Sequence, residues 1–240
     1  MVYFVADVHL GLPAGDPSER EERFVGFLRS LPPDAEALYL LGDVWDFWYE
    51  YRDVVPKTGA RAVVELANLA ERGVGVYFLR GNHDMWTGDY FGRLGIQILD
   101  QPCYREIGGR LFCFAHGDGL GGSRLSYRLL SAVFHSKVAR ALFSTLHPWI
   151  AYRFGTGWSD SNRRKHVPYR FKGADEPLYK FAESALAPDG RRPEFFVFGH
   201  FHDSVELRLS DGAQFVVLND WMKGGCPCAV FDGETLSLSV

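Results

Sequence analysis

Residues 2–11 read VYFVADVHLG. A short apolar run rich in Val, Phe and Tyr stops abruptly at Asp7, and His9 follows two positions later. This pattern of a buried strand ending in polar side chains decides the reading of the chain, because it recurs. The apolar runs 37–41 (ALYLL), 74–79 (VGVYFL), 110–115 (RLFCFA) and 194–198 (EFFVF) end at Gly42-Asp43, Gly81-Asn82-His83-Asp84, His116-Gly117-Asp118 and Gly199-His200-Phe201-His202. Two further runs, 213–218 and 228–231, complete the set of predicted strands. Helical patterns lie between them. Residues 18–31 open at Ser18 as a candidate N-cap, 58–72 close at Gly73, and 176–187 form a third. The alternation predicts an α/β architecture with helices covering sheets.

In such folds, ligands bind beyond the carboxyl ends of strands. The five polar motifs share that address and therefore can converge on one point. Asp7 with His9, and His200 with His202, are i, i+2 pairs that would project to one side of extended backbone. Carboxylates, imidazoles and one carboxamide form a mixed nitrogen and oxygen donor set, suited to Mn, Fe, Co, Ni or Zn and poorly suited to calcium. Two divalent ions about 3.5–4 Å apart activate a bridging water and clamp a phosphoryl group. Such a pair needs a shared carboxylate, for which Asp43 is the natural candidate. Asp46 and Asp84 are expected to support ligands rather than to be ligands. A lone Asp-x-His or His-x-His is usually a turn or a hydrogen-bonded pair. Five such motifs in order, each at a strand end, are a joint signal.

The chain has 240 residues, 47% of them hydrophobic and 23% charged, which fits a single domain with a sizeable insertion and excludes disorder, collagen and coiled coil. Four cysteines are too few for a disulfide scaffold and are expected to be reduced. No run of about 18 apolar residues suggests a membrane span. The early Asp7 and His9 do not suit a signal peptide, so a cytoplasmic location is expected. The net charge of −4 is unevenly spread: residues 120–172 hold ten Lys and Arg against Asp160 alone, a net +9, which leaves −13 for the rest. The same segment has a broad apolar arc (Leu125, Leu129, Val133 and Leu130, Phe134, Val138) followed by Phe143, Trp149, Tyr152, Phe154 and Trp158. We read it as a helical insertion over the core: its charge alone fits a solvated helical face better than an anionic partner, and its wide apolar arc fits either burial on several sides or an apolar partner.

The series DVHLG, GD, GNHD, HGD and GHFH resembles the calcineurin-like metallophosphoesterases, over residues 3 to about 221. The resemblance implies a four-layer αββα sandwich of two mixed β-sheets with helices outside and a helical cap insertion. It implies one metal held by Asp7, His9, Asp43 and His202, and another held by Asp43, Asn82, His116 and His200, with manganese the first expectation. His83 would stabilise the transition state or protonate the leaving oxygen, with Asp84 orienting it.

The phrases LLGDVWDFWYEY, GNHDMW, HGDGLG and LHPWIAYRFGTGWS are more specifically similar to the UDP-2,3-diacylglucosamine diphosphatases of lipid A biosynthesis. In that subfamily the insertion is a cap that receives acyl chains. The implied partners are a lipid-linked nucleotide diphosphate and the anionic cytoplasmic face of the inner membrane, with no nucleic acid. Phe134 and Trp149, together with Leu130, Val138 and Phe143, are candidates for lining the acyl cleft. Arg163, Arg164 and Lys165 are candidates for the diphosphate. The best-known members carry Arg where this chain has His83. Other lipid phosphates or nucleotide phosphodiesters are the alternative substrates, and a non-catalytic scaffold would be expected to have lost ligands.

Overall fold

The computed structural model describes residues 1–122, 132–134, 136–164 and 170–239, apart from the side chains of 158–164. Eleven strands form two sheets among these residues. They are β1 (Val2–Val5), β2 (Ala37–Leu40), β3 (Gly75–Leu79), β4 (Gln97–Leu99), β5 (Cys103–Ile107), β6 (Arg110–Ala115), β7 (Phe195–Phe198), β8 (Val205–Arg208), β9 (Gln214–Val217), β10 (Cys228–Phe231) and β11 (Leu236–Ser239). The first sheet has the order β11-β10-β1-β2-β3-β4 and the second β5-β6-β7-β9-β8. β1, β2, β3 and β4 are parallel to one another, as are β6, β7 and β9, while the remaining pairings are antiparallel.

The period of two in each central strand divides the core into layers. Val2, Phe4 and Ala6 face the space between the sheets, whereas Tyr3 and Val5 face the helices. Ala37, Tyr39 and Leu41 face inward in the same way, with Leu38 and Leu40 turned to the helices. The space between the sheets is largely aromatic. Phe4 stacks on Tyr39 at 5.1 Å and on Phe112 at 5.7 Å, and Phe112 stacks on Phe195 at 4.6 Å. Each buried ring contributes roughly 1.5–3 kcal/mol by leaving water.

Helices α1 (Pro17–Ser30) and α2 (Ala60–Glu71) cover the first sheet through Phe24, Val25, Leu28, Ala62 and Leu66. A short α3 (Tyr90–Arg93) inserts Phe91 beside them. On the far side, α6 (Pro177–Ser184) covers the second sheet with Leu178 and Ala182. The result is the expected four-layer sandwich. The start of α1 differs in detail. Asp16, not Ser18, is the N-cap: its carboxylate accepts from the Ser18 and Glu19 amides, and Pro17 occupies the first turn.

Between β6 and β7 lie α4 (Lys137–Ser144) and α5 (Pro148–Arg164). They rest on the loops that follow β2 and β3. Phe143 packs against Tyr49 at 4.8 Å and Trp86 at 5.0 Å, and Tyr152 against Phe47 at 5.6 Å. Gly155 permits this contact, because a Cβ there would lie 2.2 Å from the Phe47 ring. Trp86 Nε1 donates to the Phe134 carbonyl, and Tyr49 Oη donates to the Arg140 carbonyl.

Candidate metal centre

The loops leaving β1 and β2 continue side by side past the strands. The amides of Asp7, His9 and Leu10 donate to the carbonyls of Gly42, Asp43 and Val44. The backbone is not extended here, contrary to expectation. Asp7 and His9 have φ of 54° and 50°, Asp43 has 52°, and His200 and His202 have 73° and 53°. Among the described residues these five are the only non-glycine residues with positive φ. Each costs on the order of 1 kcal/mol or more. The side chains of the i, i+2 pairs therefore converge through left-handed turns, which the neighbouring loops hold in place.

Two short approaches make the cradle. A Cβ on Gly81 would lie 2.2 Å from Asp43 Oδ1, and one on Gly199 would lie 2.6 Å from Asp7 Oδ2. The absence of a side chain lets the His83 amide donate to Asp43 Oδ1 at 2.8 Å and the His200 amide donate to Asp7 Oδ2 at 2.8 Å. One oxygen of each carboxylate is thus committed to backbone. The other faces the imidazoles. Asp7 Oδ1 lies 3.7 Å from His9 Nε2 and 3.4 Å from His202 Nε2. Asp43 Oδ2 lies 3.3 Å from His116 Nε2, 3.9 Å from His9 Nε2 and 3.9 Å from His83 Nε2.

The imidazoles are oriented from behind. His9 Nδ1 is 3.3 Å from Asp46 Oδ1, His116 Nδ1 is 2.9 Å from the Leu41 carbonyl, and His202 Nδ1 is 3.2 Å from Asp220 Oδ2. An oxygen acceptor behind each ring places a proton on Nδ1 and leaves Nε2 as the inward donor. His200 is turned the other way, with Nδ1 3.2 Å from His116 Nε2. Asn82 Oδ1 lies 3.3 Å from His116 Nε2. Three clusters of mutually close donor atoms result: Asp7, His9 and His202; Asp43, His116 and His200; and His9, Asp46 and His83.

The electrostatics match a cation site. Burial pushes the Asp43 carboxyl up, but His116, His83 and His9 together hold it well below the usual carboxylate range. Burial opposes the charge on His116, yet Asp43 and Asp7 raise it well above an ordinary imidazole. Burial and His116 push His200 down to about 4. Asp7, His9, Asp43 and His116 are at most 1% exposed, and the buried Asp7 Oδ1 accepts no hydrogen bond. A buried carboxylate oxygen without a donor, facing imidazole nitrogens, fits a bound divalent cation.

His83 is partly exposed, with Nε2 3.9 Å from Asp43 Oδ2. Its orientation does not come from Asp84 as expected. Asp84 Oδ1 accepts from the amides of Asp43 and Gly81, and Oδ2 from those of Val44 and Trp45, so this carboxylate ties the Asp43 loop to the Asn82 loop. Burial and Asp43 push Asp84 up to about 7, against these backbone donors. His83 Nδ1 instead meets the Asp46 carbonyl at 2.9 Å.

Sequence reasoning missed three supporting residues. Asp220 stands behind His202, just past β9, and so shares the strand-end address of the other motifs. Arg20 is 1% exposed and donates to the carbonyls of His9, Leu12 and Ala14, fixing the first loop from α1. Gln101 bridges the loops of Asn82 and His116. Neither of the last two belongs to a motif, because most of their partners are main-chain atoms.

The expected cap contacts divide. Phe134 is half-buried against Trp86 at 5.5 Å. Trp149 and Val138 are 63% and 70% exposed. α5 turns Tyr152 and Gly155 toward Phe47, and Arg153 lies over the Trp149 ring at 5.2 Å. Leu125, Leu129, Leu130 and Lys165, and the side chains of Trp158, Arg163 and Arg164, lie outside the described residues.

Comparison with known proteins bears on this site. A sequence model of the calcineurin-like phosphoesterases matches residues 1–204. The UDP-2,3-diacylglucosamine hydrolase of Porphyromonas gingivalis is 34% identical over 255 residues, covering 99% of this chain and 96% of that protein. The proteins of the same name from Vibrio vulnificus and Stenotrophomonas maltophilia are 36% identical over 246 residues and 32% identical over 233 residues. They cover 97% and 92% of this chain, and 95% and 91% of their own.

Proposed function

The chain belongs to the calcineurin-like phosphoesterase family, and from that premise we propose that it hydrolyses UDP-2,3-diacylglucosamine to UMP and 2,3-diacylglucosamine 1-phosphate. The observation that carries the substrate is the near full-length similarity to proteins named for it. That similarity spans the insertion as well as the motifs. The chemistry itself is that of a metal-dependent hydrolase of phosphate esters or anhydrides.

Asp7, His9, Asp43 and His202 would hold one ion, and Asp43, Asn82, His116 and His200 the other, with manganese the proposed metal. Bound divalent ions supply Lewis acidity toward a phosphoryl group and lower the pKa of water. The chain's own residues do the rest. Asp46, Asp220 and the Leu41 carbonyl fix three imidazole tautomers. His83 Nε2, held from behind by the Asp46 carbonyl, is placed to donate a hydrogen bond to a phosphoryl oxygen or a proton to the leaving oxygen. Phe134 would meet the acyl chains, and Arg163, Arg164 and Lys165 the diphosphate.

A diacylated substrate resides in a bilayer. No helix among the described residues is long and apolar enough to cross one. Seven of the eleven exposed large hydrophobics among the described residues nevertheless lie in the insertion, including Leu142 at 66% and Ile150 at 50%. Together with the exposed Lys137 and Arg153, they make this face the proposed docking surface for the anionic cytoplasmic leaflet.

A second reading keeps the chemistry and changes the substrate to another lipid phosphate or a nucleotide phosphodiester. It is favoured by His83, which stands where the best-known diphosphatases carry Arg. One comparison separates the two readings. With manganese present, kcat/KM for UDP-2,3-diacylglucosamine should exceed that for UDP-glucosamine, because each CH₂ buried adds about 0.8 kcal/mol of binding. A ratio near one, or preference for a simple diester, defeats the lipid substrate and leaves the hydrolase standing.

A further inference from the structure

The two sets of ligands come from different sheets. Asp7, Asp43 and Asn82 follow β1, β2 and β3 of the first sheet, whereas His116 and His200 follow β6 and β7 of the second. Donor atoms on separate sheets meet only if the sheets are held at a fixed offset. On the Asp7 side, the His200 amide bonds directly to the Asp7 carboxylate. On the Asn82 side, His116 itself meets the Leu41 carbonyl and Asn82, and a further link is a side chain outside every motif.

Gln101 lies where the chain leaves β4, at one edge of the first sheet, and enters β5, at one edge of the second. Its Nε2 donates to the Arg80 carbonyl at 3.1 Å and to Asp118 Oδ1 at 3.1 Å. Its Oε1 accepts the His116 amide at 2.6 Å. Arg80 is two residues before Asn82, so one carboxamide grips the stem of the Asn82 loop and both ends of the His116-Gly117-Asp118 turn. The chemistry is specific to glutamine. The amide nitrogen faces two acceptors and the oxygen faces a donor. A glutamate would set a carboxylate against Asp118 and the Arg80 carbonyl, and a methionine of similar length would make none of the three bonds.

We infer that Gln101 is a positioning residue that holds Asn82 and His116 in register across the two sheets, and thereby sets metal affinity at that half of the centre without touching the other half. This rests on the two-metal reading above. Its contacts support the separation. Gln101 bonds only to the Asn82 and His116 loops, while the loop of Asp7 and His9 is clamped independently by Arg20. The polar partners that orient metal ligands from behind commonly contribute 10- to 100-fold in metal affinity.

The test uses the full chain, stripped of metal and titrated with Mn²⁺, with bound ions counted by equilibrium dialysis and their coupling read by electron paramagnetic resonance. The unaltered protein should take up two ions with an exchange-coupled spectrum. Gln101→Met and Gln101→Glu should each bind one ion as before and the other about 10- to 100-fold more weakly. At limiting Mn²⁺ they should show the uncoupled spectrum of a single ion. Should Gln101→Met fail to fold, Gln101→Glu carries the same test, since it keeps the acceptor for the His116 amide. Unchanged affinity at both halves would overturn the inference, as would an equal loss at both accompanied by a lower melting temperature. Uptake of a single ion by the unaltered protein would instead remove the two-metal reading, and this inference with it.

Discussion

Asp7, His9, Asp43 and His116 are at most 1% exposed, while Val138, Leu142 and Trp149 in the insertion are 63–70% exposed. The strand ends bury charge, and the insertion exposes hydrocarbon. Each runs against the usual partition of side chains. At the strand ends the departure is held by structure: five residues in left-handed backbone, carboxylates bonded to amides, and supporting groups behind the rings of His9, His116 and His202. In the insertion the departure is barely supported, and α4 has no buried residue. Both features make sense when completed by something outside the chain. A preformed cradle suits a small ion that tolerates little displacement. A loosely anchored apolar face suits a partner with no fixed shape, such as a lipid surface. The difference suggests that the chemistry and the substrate recognition of this protein can be broken separately.

The sharpest way to break the comparison is at Asp43, which touches both halves of the centre. Asp43→Asn keeps the size of the side chain and removes the charge facing His116, His83 and His9. Turnover should fall by roughly 10³-fold, with circular dichroism unchanged. Activity within tenfold of the unaltered protein would show that the charge is not shared. His83→Ala should come next, with turnover lowered by roughly 10²–10⁴-fold and both ions retained. Loss of metal on dialysis would reassign His83 as a ligand and make the third donor cluster, with His9 and Asp46, the meaningful one.

The same contrast explains what was legible in the sequence. All seven predicted strands are found, and they are the inner strands of the two sheets. The four that were missed, β4, β5, β8 and β11, are the four edge strands. Val205–Arg208 alternates half-buried with exposed residues, and Gln97–Leu99 has no fully buried residue, so neither gives the continuous apolar run of a central strand. Ligands were legible because titratable side chains at strand ends stand out against apolar strands. Gln101 and Arg20 were not, since nothing in a sequence marks a side chain whose partners are mostly carbonyls and amides.

The gentlest change should leave catalysis alone and act only on the outer face. Leu142→Glu and Ile150→Glu alter exposed positions that touch no part of the metal centre, so stability should stay within about 0.5 kcal/mol. Turnover of a water-soluble phosphodiester should not change measurably. Binding to vesicles is another matter. If both side chains enter the headgroup region, each substitution forfeits about 1.5 kcal/mol or more of apolar burial. Each also adds a negative charge near an anionic surface, where a unit charge is worth about 1 kcal/mol. Either change alone should therefore weaken vesicle association by about 30-fold or more. Sedimentation with vesicles of mixed neutral and anionic lipid, at two salt concentrations, reads this directly, because the unaltered protein should release as salt screens the +9 segment. If both variants sediment like the unaltered protein, the exposed hydrocarbon does not face lipid. The proposed division of labour between the cradle and the insertion would then hold for catalysis only.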